Sequence, residues 1–317
     1  MLRYILRRGL NAIPLLFLIT IITYLVINLA PGDPVRMFIN PEAKTQIDPE
    51  ILRAQWGLDK PFFVRYLIWL GNVMKGNLGM SFFHGRPVME VLWEALPNTI
   101  ILSFASLVLS LVVAVPIGIY SAVKRNSVFD YLFSTFSFLG VSIPGFWLGL
   151  MCILLFALKL QWFPTSGMRE VYDHVDVLDR LRHLVLPTIV LGTGTMAGDM
   201  RYMRSAMLSA ITQDFVRTAR AKGASENRVI LKHALRNALL PMATSIGFMI
   251  PSLFSGAAAV EILFAWPGLG RVLMQANFTR DYPIIMGELI LFSLMVIVGS
   301  LASDVLYAVV DPRIKLD

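Results

Sequence analysis

Four stretches of this chain run without a charged side chain for long enough to cross a lipid bilayer. They are Gly9–Gly32 (24 residues), Ala95–Val123 (29), Tyr131–Leu158 (28) and Asn237–Val260 (24). A spanning helix needs about 20 mostly apolar residues, and a helix satisfies its own backbone where no water can. Two weaker stretches join them: Leu184–Leu208, which holds Asp199, Arg201 and Arg204, and Ile284–Ala308, interrupted by Glu288 and Asp304. The expectation is an all-α membrane protein with six transmembrane helices. Only 15% of the 317 residues are charged, against about a quarter in a soluble domain.

The first stretch follows Arg3, Arg7 and Arg8, as a secretory signal would. It is too long for a signal core, and Pro31-Gly32-Asp33-Pro34 is no small-residue cleavage site, so a retained helix is expected. Cys152 is the single cysteine, and His84, His174, His183 and His233 share no helical ligand spacing. Neither a disulfide framework nor a metal site is expected.

The net charge of +7 is unevenly distributed. Six spans place both termini on one side, together with segments 123–130 and 208–236. On that side stand thirteen basic residues against five acidic ones. Segment 160–183 carries three arginines against four acids, and segment 33–94 carries seven of each sign. Basic bias in short loops sets orientation, so both termini are expected in the cytoplasm. The basic excess is thus a topology signal, and no stacking surface for nucleic acid accompanies it.

Three regions follow: 1–32 with the first span, 33–94 outside the bilayer, and 95–317 with the other five spans. In 33–94, the steps Phe63, Tyr66, Leu67, Leu70 and Val73 predict a helix over Phe62–Met74. This region reads either as a small helical cap or as part of a docking face or gate.

Segment 208–241 is unlike a simple membrane loop. A helix is expected over Phe215–Lys222, stopped by Gly223, with Ser225 placed to cap a second helix. In that second helix Val229, Ile230, Leu231, Ala234 and Leu235 form an apolar side opposite Arg228, Lys232 and Arg236. Such a ledge can lie on anionic headgroups. The small residues Ala219, Ala221, Gly223 and Ala224 at its corner equally suit close approach by a protein partner.

Arg217-Thr218-Ala219-Arg220-Ala221-Lys222-Gly223, followed by His233-Ala234-Leu235-Arg236-Asn237-Ala238 and Pro241, resembles the cytoplasmic loop of bacterial ABC importer permeases. The likeness is to the dipeptide, oligopeptide, nickel and glutathione branch, whose usual Arg-Thr-Ala replaces the general Glu-Ala-Ala. Further landmarks in the same order are Tyr4-Ile5-Leu6-Arg7-Arg8, Pro31-Gly32-Asp33-Pro34, Gly57-Leu58-Asp59-Lys60-Pro61 and Gly76-Asn77-Leu78-Gly79-Met80-Ser81. Leu96-Pro97-Asn98-Thr99, Trp266-Pro267-Gly268-Leu269-Gly270-Arg271, Arg280-Asp281-Tyr282-Pro283 and Asp311-Pro312-Arg313 complete them.

The resemblance implies a bacterial inner-membrane subunit whose loop docks on an ATPase. Arg217, Thr218, Ala219, Arg220, Ala221, Lys222, Gly223, Ala224 and Ser225 would make that contact, with Arg220 and Lys222 facing acidic groups. None of the eight lysines follows a glycine, so the chain has no P-loop of its own. The implied partners are two ATPase subunits, a second related permease and an extracytoplasmic solute-binding protein. No catalytic residue and no cofactor is implied. Peptide is the default cargo, with a nickel chelate or glutathione as alternatives. An ion-coupled secondary transporter is the competing mechanism, but it predicts an internal repeat and a midplane acid that the sequence does not display.

Asp199, Glu261, Glu288 and Asp304 are the ionisable residues in or beside the spans. Asp199 is expected to pair with Arg201 or Arg204, and Glu261 to sit at headgroup level. Bends or close packing are expected at Pro144-Gly145, Pro187, Gly192, Gly194, Gly198, Gly247 and Pro251.

Overall fold

The computed structural model describes residues 2–29, 32–37, 48–170, 176–239 and 257–310. Gly247, Pro251, Pro241 and the Asp311-Pro312-Arg313 landmark lie outside them, as does the side chain of Asp304. The described residues form helices and turns, without a β-strand.

Among the described residues, three helices are long and apolar enough to span a membrane: α1 (Leu2–Leu29), α4 (Val88–Val123) and α11 (Tyr282–Val310). Between α1 and α4 lie the short α2 (Pro49–Gln55) and α3 (Phe62–Met74). The third expected span is bent. Helix α5 (Val128–Ser142) meets α6 (Gly145–Cys152), which continues as a π-helix over Ile153–Lys159, at 101°. The break falls where Ile143 turns extended before Pro144, a residue that disfavours helix in its predecessor and here caps α6.

The fourth expected span lies inside α7 (Val177–Ile211), which is 35 residues long. Its middle is less apolar than the other three, because it carries Gly192, Thr193, Gly194, Thr195, Gly198 and Asp199. Most of the fifth, 240–256, is outside the described residues. After α7 come α8 (Asp214–Ala221) and α9 (Glu226–Arg228), the latter widening into a π-helix over Val229–Ala234. Residues 257–263 are helical, and α10 (Leu269–Thr279) precedes α11.

Helices α4 and α7 make the most extensive helix pair among the described residues. Small residues let the two backbones meet. A Cβ on Gly118 would stand 2.7 Å from Cβ of Met203, and one on Gly192 would stand 3.1 Å from the carbonyl oxygen of Ser106. Pro187 stays within the continuous α7.

Helix α3 has the predicted bounds but a different inner face. Tyr66 is buried, where its hydroxyl meets Thr20 of α1 at 3.0 Å and its ring lies edge-on to Tyr24. Phe63 and Leu67 are exposed instead. Apolar periodicity could not choose, since nearly every residue of α3 is apolar; the hydroxyl pair and the aromatic cluster fix the rotation.

Candidate functional site

The corner between α8 and α9 is built by local chemistry. Val216 and Ala219 of α8 are buried against Met203, Met207 and Ala210 of α7, Ala122 of α4, and Val229 and Ala234. The helix then stops on a Schellman motif: Gly223 N–H donates to the Arg220 carbonyl (2.9 Å) and Ala224 N–H to the Ala219 carbonyl (3.2 Å). Gly223 has φ +80°, the left-handed region that favours glycine. A Cβ there would meet nothing within 4 Å, so the glycine answers to backbone conformation and not to crowding inside this chain.

Ser225 has the extended conformation of an N-cap, but its side chain makes no capping hydrogen bond. The polar tie at the corner is a different one. Arg220 grips Glu226 through Nη2–Oε1 (2.6 Å) and Nε–Oε2 (3.1 Å). That hydrogen-bonded guanidinium holds the Glu226 carboxyl below the usual carboxylate range. Arg220 thus already has an acidic partner within its own chain. Both side chains are exposed, so the pair adds little to stability and mainly sets the shape of the corner.

Arg217, Thr218, Arg220, Ala221, Lys222, Gly223 and Ser225 are exposed, while Ala224 is half-buried. Ala219, expected as a contact residue, faces the core because it lies one helical turn from Val216. Sequence reasoning also passed over Phe215, 40% exposed on the same helix. The signal was available: Phe215 falls off the face that Val216 and Ala219 define.

The acidic residues find partners far along the chain. Asp199 accepts a hydrogen bond from Ser110 of α4 (2.7 Å), not from an arginine. Arg204 instead clasps Asp130 of α5, with Nε–Oδ1 at 2.7 Å and Nη2–Oδ2 at 2.8 Å. Arg201 stands over the Phe138 ring, 5.3 Å from its centroid. Three arms of charge on α7 therefore point to three different neighbours.

Glu261 is fully buried within the helix bundle. Its carboxylate accepts from the Thr99 hydroxyl (2.6 Å) and the Arg271 N–H (3.2 Å). Thr99 also receives the Leu269 N–H at 2.8 Å, and Trp266 Nε1 donates to the Asn98 carbonyl at 3.0 Å. Two landmark motifs about 170 residues apart, around Asn98-Thr99 and Trp266–Arg271, are thus the two halves of one joint.

A second joint pairs two more. Buried Asp281 accepts from the Ser81 hydroxyl (2.5 Å) and the Phe83 N–H (3.0 Å). The guanidinium of Arg280 covers Gly32, where a Cβ would lie 2.4 Å from its Cζ. Glu288 is buried with no hydrogen bond to its Oε2. Among the described residues no group of three or more His, Cys, Asp or Glu is arranged to hold a metal.

Four of the landmarks, around Ser81, Asn98-Thr99, Trp266–Arg271 and Arg280-Asp281, are therefore joints that tie the helices together. The family described as the binding-protein-dependent transport system inner membrane component matches residues 114–316. Its N-terminal companion, the membrane component N-terminal region, matches residues 1–103. The chain belongs to this family.

These permeases are transport subunits of the inner membrane, and the chain is a multi-pass membrane protein of that kind. Among its relatives is the oligopeptide transport system permease protein AppB of Bacillus subtilis, 46% identical over 98% of this chain and 99% of the relative. Another is the glutathione transport system permease protein GsiC of Escherichia coli (strain K12), 38% identical over 99% of both chains. In fold, the chain is similar to an inward-facing MetNI methionine ABC transporter chain. The TM-score is 0.56 at 20% identity, covering 70% of this chain and 97% of that one.

Proposed function

We propose that this permease is a channel-forming subunit of an ABC importer that carries short peptides into the cytoplasm. In this reading it has six spans, with both termini and the 208–241 loop in the cytoplasm and 33–94 as an extracytoplasmic helical cap on the 95–317 core. It works as a heterodimer with a second, homologous permease, above two ATPase subunits and below a solute-binding protein. The relatives' names include both oligopeptide and glutathione systems, and peptide is the broader class. A nickel chelate or glutathione as cargo would leave the machine unchanged.

The observation that carries the proposal is how the corner is rooted. Its outer surface is exposed, while Val216 and Ala219 lock it to α7, and α7 lies along α4. A push on Arg217–Ser225 would therefore move a 35-residue helix as a unit instead of bending a loop. The ATPases close on ATP, and that closure binds one arrangement of the paired permeases better than the other. Alternating access follows from that difference in affinity.

The contact is tested with photo-crosslinkers on single cysteines at Thr218 and Ala221, in the assembled complex. Both positions are exposed, and the native Cys152 is buried. Capture of an ATPase subunit from both, and none from the inward-facing Ala219, is the expected result. Capture of lipid alone would mean that the ledge rests on headgroups.

A further inference from the structure

We propose that the cavity beside Glu288 receives the ammonium end of the cargo, with the Glu288 carboxylate as its acceptor. This rests on the peptide-import reading and assigns a recognition site within it.

The cavity lies between α10, α11 and Ala258 and has a volume of about 440 Å³. Binding cavities for small molecules run from about 300 to 1,000 Å³, mostly apolar with a few placed polar groups. Leu273, Ile285, Leu289, Phe292 and Met295 supply the apolar wall. Glu288 lines it at 7% exposure, and its Oε2 has no hydrogen-bond partner. A buried polar atom without a partner is costly, and a buried charge more so, unless something enters to pair with it.

The local charge indicates what enters. A second carboxyl stands close by: Glu261 accepts from the backbone N–H of Gly270, which lines the same cavity. Glu261 is held only by neutral donors, the Thr99 hydroxyl and backbone N–H groups at Gly270 and Arg271. Among the described residues neither carboxyl has a salt-bridge partner. The side chain of Arg271 is turned away onto the Ala265 carbonyl, at 3.0 Å. Two acids, with no cation beside either among the described residues, leave an unmatched acceptor at an apolar cavity for a donor brought from outside the chain.

A peptide supplies the complement. Its terminal ammonium can donate a charge-assisted hydrogen bond to Oε2, and its first side chain can occupy the apolar wall. Glu288 is six residues into α11, about 9 Å along the helix from its start at Tyr282. The neighbouring Gly287 is pressed on Val88 of α4, where a Cβ would stand 2.6 Å from Cγ1, so the carboxyl is carried by a fixed stretch of helix.

The test uses the complete complex in nanodiscs without binding protein or ATP, and compares labelled alanyl-phenylalanine with its N-acetyl derivative. The wild-type complex is expected to bind the free amine about tenfold more tightly or better, the scale of a hydrogen bond to a charged group. Glu288→Gln should bring the two within about twofold of each other. Leu273→Trp, which fills the cavity and leaves the carboxyl, should weaken both forms. An unchanged preference for the free amine in Glu288→Gln overturns the assignment. So does failure of that variant to co-purify with the second permease, which would place Glu288 in the subunit interface. If the wild-type complex, reconstituted in liposomes with binding protein outside and ATP within reach of the ATPases, imports neither peptide form, the peptide-import reading itself has failed. If it imports peptide while Glu288→Gln keeps the preference, only the site has.

Discussion

Gly270→Ala is expected to destabilise the folded permease by about 3 kcal/mol, the upper end of the usual overpacking cost. A Cβ at Gly270 would fall 2.3 Å from Cα and 2.5 Å from Cβ of Ala258, so the obstacle is the backbone of the facing helix. Neither side can yield easily. The start of α10 is tied to α4 through Leu269 N–H and Thr99, and to Glu261 through Arg271 N–H. Separating the two backbones would break the joint that those bonds close. Thermal unfolding of the purified complex should show a clearly lower melting temperature. Gly194→Ala is the control, since a Cβ there meets nothing within 4 Å and α7 continues through it. It should be neutral or stabilising by up to about 1 kcal/mol. Equal melting of Gly270→Ala and wild type would show that α10 is not seated as described.

Arg204→Ala is expected to cost about 3 kcal/mol, the lower end for breaking a buried ion pair. Asp130 is only 2% exposed and accepts both arms of the guanidinium, together with the Asn126 N–H at 3.0 Å. Removing the arginine strands a buried carboxylate at the start of α5. The pair links α5 to α7, so the loss should appear as a lower melting temperature and as faster proteolysis around 124–130. Asp130→Ala combined with Arg204→Ala should cost clearly less than the two single changes together, because the double variant strands no charge. Additive losses would show that the two side chains do not depend on each other.

What could be read from the sequence follows physical range. Local signals were sufficient for α3, whose bounds Phe62–Met74 follow from Pro61 and from apolar residues recurring at three- and four-residue steps. They were also sufficient for the corner, where Gly223 stops α8 because only a left-handed residue closes a Schellman motif. The bend at Ile143-Pro144 was equally local, although its size was not. Pairings across the bundle were not legible. Asp130 and Arg204 stand 74 residues apart, and Thr99 and Glu261 stand 162 apart; nothing in their spacing points from one to the other. Asp199 was matched to its nearest arginines because sequence offers only neighbours, whereas Ser110 reaches it across the close α4–α7 contact. The inward turn of Ala219 follows from Val216 three residues before it, since the two share one helix face.

The most direct test of the central claim is uptake of labelled dipeptide into liposomes holding this chain, a second permease and two ATPases, with binding protein outside. The comparison is wild type against Gly223→Pro. Proline cannot reach φ +80° and lacks the N–H that bonds Arg220, so the corner must break while the membrane helices stay intact. The account predicts uptake that needs ATP in the wild type. In the variant it predicts loss of both uptake and substrate-stimulated ATP hydrolysis, with insertion unchanged. Uptake that persists without the ATPases and follows a proton or sodium gradient would contradict it.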